Sequence, residues 1–139
     1  MNLATLRVEG NDDALAHLCD VLRCNLDATW KKGELKRRGG IHMMSGFSAT
    51  IADSANPAEM IVTVRRFLAD CKALGLDFVG ADLYSELAIG VAVGDSVQFI
   101  AIVDLTAGDL SLLGSLGINL SIAAYPTSDE ANVIDDTAA

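Results

Sequence analysis

The sequence predicts an α+β domain in which three β-α-β units form one mixed sheet, with the helices packed on one face. Three observations carry that expectation. Stretches with apolar residues at every second position alternate with stretches of 3.6-residue period. The helical stretches carry start and stop residues at fixed offsets. Strands separated by helices need crossover connections, which make the two flanking strands parallel.

The first strand is read in "LATLRVE", with Leu3 or Ala4, Leu6 and Val8 at strand spacing. In the following "GNDD", Asn11 is placed to cap a helix, and Asp12 and Asp13 suit its positive first turn. Leu15, Leu18, Cys19 and Leu22 then keep one helical stripe. A short strand, "LDATW", precedes a basic stretch, and "GFSATIA" alternates Phe47, Ala49 and Ile51.

The second helix, "NPAEMIVTVRRFLADCKALG", has the fullest set of signals. Asn56 caps it, Pro57 takes the first helical position, and Glu59 can close back on the cap. Ile61, Val64, Phe67, Leu68 and Cys71 share a face, and Gly75 is placed for a left-handed stop. "ELAIGVAV" alternates Leu87, Ile89, Val91 and Val93, and "VQFIAIV" reads as a fully buried central strand. Thr106 and Asp109 have capping-box spacing ahead of Leu110, Leu113 and Leu116, with Gly117 as the stop. "INLSIAAY" supplies the last strand.

The helix exits read "CNLD", "LGLD" and "LGIN" (24–27, 74–77 and 116–119), a weak threefold repetition. Asn and Gly tolerate left-handed backbone, and the next apolar residue can drop into the core. On the sheet face away from the helices the alternation places Thr5, Arg7, Ser48, Thr50, Ala88, Gly90, Ala92, Ser121 and Ala123. These are small and mostly uncharged, which suits either solvent or close approach by another protein.

At 139 residues the chain suits one domain, expected over 1–126, with an acidic and flexible tail over 127–139. Half the residues are apolar, enough for one core, and aromatics are few. No apolar run approaches the roughly 18 residues of a membrane span, and "MNLATLRVEGNDD" lacks the apolar region of a signal peptide. Cys19, Cys24 and Cys71 form an odd set with no CxxC spacing, so neither a disulfide framework nor a zinc site is expected. A cytoplasmic location follows as an expectation.

Charge is unevenly divided. No Lys or Arg follows Lys72, while ten of the nineteen acidic residues do. That half repels nucleic acid and attracts a basic protein. Asp82, Glu86, Asp95, Asp104 and Asp109 are the acidic residues expected to steer and pair with such a partner. Against this trend, "WKKGELKRRGG" gathers Lys31, Lys32, Lys36, Arg37 and Arg38 behind Trp30, with turn-forming Gly33, Gly39 and Gly40. An exposed inter-strand loop is expected there, able to contact a partner or an anion.

Signatures of phosphate loops, dinucleotide folds, zinc proteases and serine hydrolases are absent from the sequence. His17 is expected at the surface, and His42, in "IHMMSG", as a strand residue beside core methionines. Asp82 and Glu86 flank Tyr84 as a possible acid/base pair, but without a partner nucleophile. The expectation is a protein with no catalytic residue, metal or cofactor.

The "LRVEG" opening, "WKKGE", "GGIHMMSGF" and the closing "LLGSLGINLSIAAYP" together resemble the bacterial family known as domain of unknown function 4279. Lys32, Gly33, Glu34 and Tyr125 carry the best matches, and the similarity spans residues 3 to 126. The resemblance implies an α+β domain without an established catalytic site, of the kind found among immunity proteins that neutralise secreted toxins. The expected function is therefore a small acidic protein-binding domain that blocks a basic toxin by occlusion, with a homodimer allowed. The alternative is a sensing or oligomer-forming module that takes an anionic small molecule on the basic loop 31–38.

Overall fold

The computed structural model describes residues 2–128. Its elements are β1 (Asn2–Gly10), α1 (Asp12–Leu22), β2 (Ala28–Trp30), β3 (Ser45–Ser54), α2 (Pro57–Ala73), β4 (Tyr84–Val93), α3 (Ala107–Leu116) and β5 (Asn119–Pro126). The five strands form one mixed sheet in the order β2-β3-β1-β4-β5. β1 is antiparallel to both neighbours, β2 is antiparallel to β3, and β4 and β5 are parallel.

This order makes the strands flanking each helix parallel. β1 and β2 flank α1 with β3 lying between them, and β3 and β4 flank α2 with β1 between. Two split β-α-β units are thus interleaved, the ferredoxin-like arrangement. α3 then leads from β4 to the adjacent β5, so the third unit uses β4 as its own first strand.

The helix boundaries follow the start and stop chemistry. Asn11 accepts from Ala14 N–H at the head of α1, and Asn56 from Ala58 N–H at the head of α2. Thr106 and Asp109 form a reciprocal capping box on α3. α2 and α3 end in Schellman geometry: Leu76 N–H reaches Cys71 and Ile118 N–H reaches Leu113, with Gly75 and Gly117 left-handed at φ 69° and 80°. α1 departs from the repeat. Its left-handed residue is Arg23 (φ 51°), two residues before the Asn25 that "CNLD" aligns with Gly75 and Gly117, closed by a bond from Arg23 N–H to Cys19. The threefold likeness of the exits is therefore physical at two of the three.

The core lies between the sheet and the helices. Ala4, Leu6 and Val8 of β1, Phe47 and Ala49 of β3, and Leu87, Ile89 and Val91 of β4 meet Leu15, Leu18, Met60, Val64, Leu68 and Leu113 from the helices. Opposite Ala4 and Thr5, β3 carries a bulge, so Ile51 and Ala52 both serve the core side. Cys71 is fully buried, and burial raises its thiol pKa to about 12, while Cys19 and Cys24 are partly exposed. No described helix is long and apolar enough to cross a membrane.

Two expectations are overturned. "VQFIAIV" is not a strand: Val97 is 87% exposed and Phe99 74%, and Ile100 and Ile102 stand out beside them. Asp95 explains the departure. One carboxylate oxygen, Oδ1, accepts from Val97 and Gln98 N–H, and the other accepts from Thr127 Oγ1. With Gly94 at φ 105°, this Asx-type turn steers the chain off the end of β4. Every other second residue, Ala101, Val103 and Leu105, still packs against the core. The methionines beside His42 are likewise not core, since Met43 and Met44 are exposed. The tail expected over 127–139 falls, from residue 129 on, outside the described residues.

Candidate functional site

The sheet face away from the helices carries no second layer among the described residues. Alternation puts Leu3, Thr5, Arg7 and Glu9 of β1 on it, opposite the buried Ala4, Leu6 and Val8. Ladder register then aligns Ala88, Gly90 and Ala92 of β4 with Ser121, Ala123 and Tyr125 of β5. Side chains this small leave a groove of about 540 Å³ between β1 and Tyr125, with Leu3, Thr5 and Thr127 at its walls. Gly90 is needed there: a Cβ on it would sit 3.0 Å from the Tyr125 ring. The groove is mostly apolar, as binding clefts usually are.

The same face becomes polar towards the other end. Arg7 pairs with Glu9 at 2.7 Å and lies opposite Glu86 in the ladder with β4. The Arg7 guanidinium also stands 4.9 Å from the Trp30 ring centroid. The His42 ring stacks on Trp30, with centroids 5.0 Å apart. Trp30 thus takes part in both a cation–π contact and an aromatic stack, with its Nε1–H buried and unpartnered among the described residues. Gly46 lets the indole lie on the sheet, because a Cβ there would come within 2.6 Å of the ring and 2.5 Å of Val8 O. Tyr84 Oη–H donates to Glu86 at 3.4 Å.

The five acidic candidates do not form one patch. Asp82 is exposed just before β4, in left-handed backbone (φ 58°), and Glu86 is half-buried on the open face. Asp104 is exposed, with its carbonyl accepting from Arg65. Asp95 and Asp109 are buried and serve the fold. Asp95 makes the turn after β4, and Asp109 caps α3 and binds Arg65 at 3.0 Å. The Thr106 backbone N–H, and then Arg65, hold the Asp109 carboxyl below the usual carboxylate range. Two of the five thus have structural work that competes with partner binding.

The basic stretch is an exposed hairpin, bridged at Leu35 and Ile41. Lys31 pairs loosely with Asp12 at 3.4 Å. Lys32 lines a shallow cleft that also holds Asp12 and Asp82, so carboxylates already oppose its charge. Lys36, Arg37 and Arg38 stand on the solvated tip without ion pairs among the described residues. His17 is exposed, and no group of three or more His, Cys, Asp or Glu among the described residues is arranged to hold a metal ion.

Comparison with protein-family models, with characterised proteins and with solved structures finds no match to this chain. The resemblance to domain of unknown function 4279 rests on its short motifs alone. The groove was half-legible from sequence. The small residues were placed on the open face, but Tyr125 as its wall was not, because its lean over Gly90 is a tertiary event.

Proposed function

We propose that this chain is a non-catalytic protein-binding domain that docks a basic partner on its open sheet face. The observation that carries the reading is the run of the open face of β4 from Ala88, which lines the groove, to Glu86, with Asp82 exposed just before that strand. A partner side chain of apolar character fits the groove beneath Tyr125, and Lys or Arg beside it meets the carboxylates. Neutralising a basic toxin by occlusion is the specific form we propose, because occlusion asks only for a complementary surface. The anion-binding alternative is weaker: Lys36, Arg37 and Arg38 project from a hairpin tip, and Lys32 faces carboxylates.

The test is co-purification of the tagged protein from its host at low salt, with mass spectrometry of what is retained. The expected result is a stoichiometric basic protein whose retention falls steeply with salt. Thr5→Trp, which fills the groove from β1, is expected to abolish retention, and Glu86→Gln with Asp82→Asn to weaken it about tenfold or more. Retention that ignores both the groove and salt would overturn the reading.

A further inference from the structure

We infer that the basic hairpin seats on the surface of an anionic lipid bilayer, with Lys36, Arg37 and Arg38 at the phosphates and Leu35 and Ile41 in the interfacial layer. The hairpin is already formed in the free chain. Gly33 N–H donates to His42 O and His42 N–H to Glu34 O, both at 2.8 Å, and Lys36 N–H donates to Gly40 O at 2.9 Å. Gly39 and Gly40 turn the chain in left-handed backbone, at φ 92° and 81°. Little backbone freedom is then left to lose on binding.

These hydrogen bonds flank the Leu35–Ile41 bridge, so the two residues form a non-hydrogen-bonded pair with side chains close together on one side. His42, the next residue, stacks on Trp30. Alternation turns Leu35 and Ile41 away from the side that meets Trp30. Leu35 is 83% exposed, Ile41 51% and Met43 71%. Lys36, Arg37 and Arg38 follow Leu35 at once and form no ion pair among the described residues. Cations beside exposed aliphatics suit the lipid boundary, where the apolar groups enter below the headgroups and the cations stay at the phosphates.

Shape favours lipid over other anionic partners. Every residue from Lys31 to Ile41 is exposed, so the tip is convex and encloses no small anion. A folded acidic protein would need a hollow matched to Leu35 and Ile41, whereas a fluid lipid layer closes around them without one. Single-stranded nucleic acid stacks on aromatic side chains, and Trp30 and His42 are already stacked on each other at the base of the hairpin. The net charge of −9 acts weakly at the tip. Arg37 lies ~13 Å along the hairpin from Gly33, at ~3.3 Å per residue, and charge is screened over ~8 Å at physiological ionic strength. Asp12 and Asp82 share a cleft with Lys32, at the base, and Glu34 is the single acidic residue between Lys31 and Ile41.

The experiment is flotation of the full chain with phosphatidylcholine vesicles, alone or with about one-third phosphatidylserine. Binding is expected to the phosphatidylserine vesicles at about 1 mM accessible lipid, and to weaken as salt rises. Lys36→Ala, Arg37→Ala and Arg38→Ala together are expected to weaken it about a hundredfold, and Leu35→Ser about tenfold. Both variants change only exposed residues, so thermal unfolding is expected to match that of the parent chain. Thr5→Trp, which fills the groove, is expected to bind vesicles unchanged, because the hairpin contact stands apart from the docking proposal. No binding to either vesicle, equal binding to phosphatidylcholine alone, or binding that survives the triple substitution would overturn the inference. Binding to polyglutamate as strong as to vesicles, and undiminished by Leu35→Ser, would also overturn it and assign the hairpin to an acidic protein.

Discussion

β2 and β5 close the same sheet at opposite edges, and they manage exposure in different ways. β2 is three residues long, and Lys31 and Lys32 follow it at once. Its last residue, Trp30, contacts both Arg7 and His42. β5 is eight residues long, uncharged, and seated by a helix whose exposed positions include Leu110. The basic stretch is thus part of a guarded edge: lysines beside a short strand deter a foreign strand from adding to it. The difference teaches that the concentration of positive charge has a negative purpose at the β2 side, and that its absence at the β5 side leaves a surface open for association.

The contrast can be broken first at the support of β5. Leu113 of α3 is buried in the core, and Leu113→Ala is expected to cost about 2–4 kcal/mol. Urea unfolding should show that loss, and hydrogen exchange should show β5 opening before β2. On the opposite side, Gly46→Ala forces a Cβ against Val8 O, a backbone atom that cannot rotate away. A loss of about 1–3 kcal/mol is expected, with a red shift of Trp30 fluorescence as the indole lifts off the sheet.

Asp109 supplies a smaller effect with a defined pH window. Its carboxyl pKa is lowered in the folded chain, so its contribution is fully present above the unfolded value. That contribution is lost as pH falls through the lowered folded value. Asp109→Asn is expected to cost about 1–2 kcal/mol at neutral pH through the cap, and to flatten the acid limb of stability measured by urea midpoints. An unchanged acid limb would assign the pH dependence to other carboxylates. The smallest effect is expected from Arg7→Ala, about 0.5–1 kcal/mol, with Trp30 emission reporting loss of the stacked cation.

Most of the architecture was legible because its punctuation is local. Asn11, Asn56, Thr106, Gly75 and Gly117 act within a few residues of where they stand, so their roles can be read without the fold. "VQFIAIV" was misread because apolar content and β-propensity say that a segment can pair, not that the sheet has a place for it. β4 already has β1 on one side and β5 on the other. Met43 and Met44 were misread for a similar reason, since an apolar residue in a hairpin loop faces no core. The side chains of Asp95 and Asp109, two of the acidic residues expected to meet a partner, also make a turn and a cap, roles that need the fold to be seen. The Trp30 stack was not foreseen because it joins residues from β1, β2 and the hairpin.

The Asp95 turn has a consequence for the order of events during synthesis. β4 is complete at Val93, before any of α3 or β5 has been made, and its far edge is then unoccupied. The first apolar segment to follow is "VQFIAIV", a sequence well suited to fill that vacancy wrongly. The Asp95 carboxylate takes up the N–H groups of Val97 and Gln98, the first donors such a misplaced strand would use. The place beside β4 is thereby kept for a strand that does not yet exist. Asp95→Ala is accordingly expected to add a slow refolding phase, seen by stopped-flow Trp30 fluorescence, while a single unchanged phase would show that the two strands never compete.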